Sequence, residues 1–154
     1  MKRLLILLCI CTNVWAAGSQ VYIEQIGDYN NITVDQTGPT NAVQYSGNGN
    51  SNIIDLTQSG SNKSISASVS DNNNSVTVLQ KDTGSHYLNL NLSGGDKTVD
   101  VIQQGSGSHT ADINLSGAGV RSLNLTQQGS TPQFYGINSS CSSNCQPITV
   151  IQGQ

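Results

Sequence analysis

Past its first sixteen residues the sequence holds no tryptophan, a single phenylalanine (Phe134) and four basic side chains, Lys63, Lys81, Lys97 and Arg121. Nine acidic residues stand against them, a net charge of −5. Nothing basic is left to hold nucleic acid or an anionic membrane, so neither is expected as a partner. Two cysteines, Cys141 and Cys145, lie far in sequence from the two histidines, His86 and His109. A zinc site wants four converging ligands, and no metal is expected. Catalysis needs a converging acid and base, or a nucleophile with an orienting partner. None is legible, so the expectation is no enzyme, no cofactor and no small-molecule substrate.

What is present first is an address. Lys2-Arg3, an apolar run over residues 4–11 and Val14-Trp15-Ala16 read as a secretory signal peptide at 1–16, cleaved after Ala16. The run is too short to span a bilayer. In an exported chain Cys141 and Cys145 are expected to pair as a disulfide, pinning the longest turn, rather than to serve redox or metal chemistry. Residues 17–20 form a short lead to a repeat region at 21–152.

Asparagine, serine, glutamine, glycine and threonine crowd that region, a composition that leaves a chain disordered when its apolar residues are scattered. Here they are periodic. Reading back from Gln36, Gln58, Gln80, Gln103, Gln127 and Gln152, the residues four and two before each are Ile32 and Val34, Ile54 and Leu56, Val76 and Val78, Val99 and Val101, Leu123 and Leu125, and Ile148 and Val150. The glutamines are spaced by 22, 22, 23, 24 and 25 residues, the signature of a repeat architecture. Between them runs a second alternating set: Val43 and Tyr45; Ile65, Ala67 and Val69; Leu88, Leu90 and Leu92; Ala111, Ile113 and Leu115; Tyr135 and Ile137. Period-two alternation bounded by turn formers is the strand signal. Gly38, Gly60, Gly105 and Gly129 each follow a glutamine by two residues, and Asn, Asp and Ser fill the other turns.

Each period is thus strand, turn, strand, turn. An antiparallel meander does not require the same residue at every second strand, whereas stacked rungs place identical side chains above one another as a ladder. The reading is all-β: a β-solenoid of about six rungs, two strands per rung, in two parallel sheets, amyloid-like. Val21, Ile23 and Gln25 lie half a period before Gln36, which puts that strand in the facing column; Gln25 is nevertheless grouped with the ladder amides. The chain then starts in one column and finishes in the other with no obvious cap, and Val21, Ile23, Gln25, Ile148, Val150 and Gln152 are the residues expected to form a joint between copies. Asp35, Asp55, Asp100 and Asp112 face outward by parity and keep the sheets soluble.

With those columns in view, the segment Ile23-Glu24-Gln25-Ile26-Gly27-Asp28-Tyr29-Asn30-Asn31-Ile32-Thr33-Val34-Asp35-Gln36-Thr37-Gly38 resembles the repeat of the curlins, subunits of curli amyloid fibres, with Asn30 and Asn41 each five after a glutamine. The resemblance spans residues 21–152. It departs from the second rung on, where aliphatic residues take the place of the family's second glutamine and the asparagine drifts to Asn62 or is replaced. The family's export-targeting segment ahead of the first repeat is not seen. The resemblance implies a secreted structural subunit, major or nucleator-like, of an extracellular fibre at the bacterial cell surface, serving biofilm matrix and adhesion. Its partners would be copies of itself, a related curlin and an outer-membrane export machinery. The alternative is a monomeric solenoid acting as a binding or adhesion module.

Two side readings complete the expectations. The glutamine ladder either sets register between copies or merely satisfies amides within one. His86 and His109, each six residues after a glutamine, should stack on adjacent rungs about 5 Å apart, either as a pH switch or as two exposed turn residues.

Overall fold

The computed structural model describes residues 18–117, 119, 121–142 and 145–153. The signal peptide expected at 1–16 lies outside them, and so does Ala17, the first residue of the lead. The described chain is all-β and without a helix, built of β1 (Gln20–Ile26), β2 (Asn31–Thr37), β3 (Ala42–Asn48), β4 (Ile53–Ser59), β5 (Ser75–Gln80), β6 (His86–Tyr87), β7 (Lys97–Gln104), β8 (His109–Ile113), β9 (Arg121–Gln128), β10 (Gln133–Ile137) and β11 (Ile148–Gln152). The first strand begins one residue before the boundary expected from the alternation.

All the pairings are parallel, and they join strands one period apart. One sheet is continuous, in the order β11-β9-β7-β5-β4-β2. Its register superposes Ile32, Ile54, Val76 and Val99, then Leu123 and Ile148, and two places on Val34, Leu56, Val78, Val101, Leu125 and Val150. The chain is therefore a β-solenoid of about six rungs, each rung one strand of this sheet and one facing segment.

The facing side is less regular than the alternation suggests. It divides into a β1-β3 pair and a β10-β8-β6 sheet. Between them residues 64–69 are tied in only by isolated bridges at Ser64 and Val69. Ser66 has a φ of 114°, and Asn91, Leu92 and Ser93 have φ of 43°, 59° and 59°. Such backbone cannot continue a ladder. Inward parity survives the interruption, because Ile65, Ala67, Val69, Leu88, Leu90 and Leu92 are all buried.

The core is a thin slab between the two sheets, continuous from Val43 to Leu125, with Ile23, Ile32, Val34, Tyr135, Ile137, Ile148 and Val150 half-covered at its two ends. Burying each Val, Ile or Leu contributes about 1.5–3 kcal/mol, which is the main return on ordering so polar a chain. Glycine is needed where turns stack. A Cβ on Gly38, whose φ is 101°, would lie 2.2 Å from the carbonyl oxygen of Gly60 in the next rung. Gly47 serves a different end, since a Cβ there would meet the Tyr45 ring and the Gln25 carboxamide. The missing side chain lets the tyrosine fill that layer.

Candidate functional site: the amide ladders and the ends of the stack

Glutamine ends each strand of the continuous sheet on its inward face, where a carboxamide can reach both along the stack and across it. Gln36 Nε2 donates to Gln58 Oε1 at 2.7 Å, and the chain continues through Gln80, Gln103, Gln127 and Gln152 at 2.9, 2.8, 2.8 and 2.8 Å. The second N–H crosses to the facing strand. Gln58 donates to Ala42 O at 3.1 Å, Gln80 to Ser64 O at 3.1 Å, Gln103 to Tyr87 O at 3.0 Å and Gln127 to Thr110 O at 3.0 Å. Gln36 and Gln152 do the same at the ends, to Gln20 O and Phe134 O. Gln58, Gln80, Gln103 and Gln127 are buried. A buried amide so bonded clips the two sheets together within a rung and the rungs to one another.

Gln25 is not part of this column. It lies over Gly47 in the facing sheet, and its Oε1 accepts from the Tyr45 hydroxyl at 3.1 Å. Glycine has no side chain to continue a ladder. Tyr45 is fully buried, and burial pushes its pKa up to about 12.

The family-like asparagine does not drift to Asn62, which is exposed. Its place in the column is held by a series of unlike residues, Asn41, Lys63, His86, His109 and Gln133, as the register of the strands beside them requires. All do one job: they donate inward to turn carbonyls, of the turn that precedes them and, for Asn41 and Lys63, of the turn on the next rung as well. Asn41 Nδ2 reaches Thr37 O and Gly38 O, each at 3.2 Å. Lys63 Nζ is cradled by Ser61 O, Asp82 O and Gly84 O. In the turns one residue longer, His86 Nε2 reaches Lys81 O at 2.8 Å, His109 Nε2 reaches Gln104 O at 2.9 Å and Gln133 Nε2 reaches Gln128 O at 2.7 Å.

The opposite turns carry a second column, Asn30, Asn52, Asn74 and Lys97. Each asparagine Oδ1 accepts the backbone N–H of the next member, at 2.8, 2.9 and 3.2 Å. Lys97 ends the series with Nζ on Gly117 O at 2.6 Å. Burial pulls both lysines below their usual pKa. The sequence signal for the first column was there: a side-chain donor five or six residues past Gln36, Gln58, Gln80, Gln103 and Gln127, visible once residue type is ignored.

His86 and His109 are buried, not exposed turn residues, and their rings stack at 4.9 Å between centroids, 2° from parallel. Cys141 and Cys145 are disulfide-bonded in the turn between β10 and β11. Asp35, Asp55, Asp100 and Asp112 are exposed on the outer faces.

The two ends differ in sense. Among the described residues nothing donates to Gln36 Oε1 at the first rung, while at the last rung Gln152 Nε2 donates only across the rung. One end thus offers an amide acceptor and the other an amide donor, each beside half-covered aliphatic residues and an unpaired strand edge. Compared with protein-family models, with curated proteins and with solved structures, the chain matches none of them.

Proposed function

We propose that this chain is a secreted structural subunit that adds head to tail to copies of itself, building a curli-like fibre at the bacterial cell surface. The observation that carries the reading is the polarity of the glutamine ladder. A copy whose first rung meets the last rung of another brings the acceptor Gln36 Oε1 onto the donor Gln152 Nε2. It lays Ile32 and Val34 against Ile148 and Val150, and Val21 and Ile23 against Tyr135 and Ile137. The joint repeats the contacts between interior rungs, so addition is templated and has no built-in end. Backbone pairing, amide stacking and aliphatic burial act together. The partners are further copies or a related subunit with the same columns, reached after export across the outer membrane.

The test is seeding. The chain from Ala17 onward, held soluble and then left at neutral pH, should assemble after a lag that preformed fragments abolish. The product should give a meridional reflection near 4.7 Å, with a diffuse equatorial one near roughly 10 Å. A chain that keeps its β-structure yet stays monomeric at all concentrations would reject the fibre and leave the binding module as the account of the fold.

A further inference from the structure

We propose that His86, stacked on His109, makes the solenoid acid-labile: the middle rungs close only on a neutral His86 ring, and protonating it opens them. The inference concerns the folded chain itself and does not depend on copies adding end to end.

The hydrogen bonds fix the tautomer. Lys81 O and Gln104 O are carbonyls and only accept, so Nε2 of each ring carries the hydrogen. Nδ1 is therefore the atom that must take a proton in acid. Both Nδ1 atoms are buried without a hydrogen-bond partner. A proton arriving there creates a buried N–H with no acceptor and a charge with no solvent.

The column makes matters worse for the cation. On one side of His86 the parallel ring of His109 lies 4.9 Å away. On the other side sits the ammonium of Lys63, held between the turns by backbone carbonyls. A protonated His86 would lie between a fixed cation and a second basic ring. The facing carboxylate is that of Asp82, which is exposed and already accepts the Gly105 N–H at 3.0 Å. Beyond His109 the next member is the uncharged Gln133.

Burial, aided by Lys63 and His109 and opposed by the Lys81 carbonyl and Asp82, lowers the pKa of His86 to about 4. In the unfolded chain an imidazole takes its proton near about 6.5. Between those values the unfolded state binds more protons than the folded one, so stability falls as pH falls. It is complete above the unfolded value and is lost as the pH drops towards that of the folded ring.

The chain supplies its own neutral replacement. Gln133 makes the same bond, to the carbonyl five residues back, that the two histidines make. The double substitution His86→Gln and His109→Gln keeps the donors and removes the titration. Guanidinium unfolding of the soluble chain is followed from pH 7 to pH 4. The unfolding constant of the native sequence should rise on the order of 100-fold more than that of the variant. Equal pH dependence in the two would overturn the proposal. Should the variant not fold, the imidazole Cε1–H resonances of the native chain decide: a His86 midpoint below about 5.5 supports the proposal, and one at or above it overturns it.

Discussion

A glutamine carboxamide has two N–H groups and a carbonyl, set far enough from the backbone to reach a neighbouring strand and a neighbouring rung at once. Deleting an interior one strands the amides above and below it. Gln80→Ala orphans an N–H of Gln58 and the Oε1 of Gln103, and leaves the carbonyl of Ser64 with the Leu88 N–H alone. Gln36→Ala works at a half-covered edge, where water replaces much of what is lost. We expect about 3 kcal/mol of destabilisation for Gln80→Ala and about 1 kcal/mol for Gln36→Ala, read as midpoints in urea. Equal costs would mean that the amides are spectators and the aliphatic columns alone hold the rungs.

At the scale of elements, the continuous sheet was open to reading from sequence, because one residue type recurs at one place and aliphatic residues hold fixed offsets from it. The turn donors were hidden for the opposite reason. Asn41, Lys63, His86, His109 and Gln133 share a geometric task and no chemical type beyond an N–H, so their identity changes with turn length while their function does not. Alternation also could not foresee the break in the facing sheet. Residues 64–69 keep the inward pattern of a strand, and the turn in the backbone at Ser66 leaves no trace in that pattern. Gln25 misled through its type: its spacing placed it correctly in the facing column, and Gly47 beneath it decides that it bonds a tyrosine instead of an amide. The disulfide was legible from the expectation of export and from the cysteine count, and the structure gives it a local job. It closes the turn joining β10 to β11, and it lies against Gly119 of the rung before. Solenoid stability is nearly a sum over neighbouring rungs, so reduction should loosen one end only. Amide exchange should quicken in β10 and β11 by an amount equivalent to roughly 2 kcal/mol, with β4, β5 and β7 unchanged. A uniform loss of protection would show that the rungs open together.

At the scale of the whole molecule, the account rests on the claim that the last rung of one copy continues into the first rung of the next. Outward columns allow a covalent test. Register places Thr33, Asp55, Thr77, Asp100, Asn124 and Thr149 in one line on the outer face, and the two threonines at its ends are exposed. Within one chain they stand five rungs apart, about 24 Å, far beyond the reach of a disulfide. Across the joint they would be neighbours at about 4.8 Å, within that reach. The decisive measurement is therefore the mass distribution, without reductant, of the Thr33→Cys and Thr149→Cys double variant after assembly and mild oxidation. Head-to-tail stacking predicts a ladder of covalent dimers, trimers and longer chains that collapses to monomer on reduction, while each single variant stays monomeric. Assembled material that yields monomer alone from the double variant would contradict the joint.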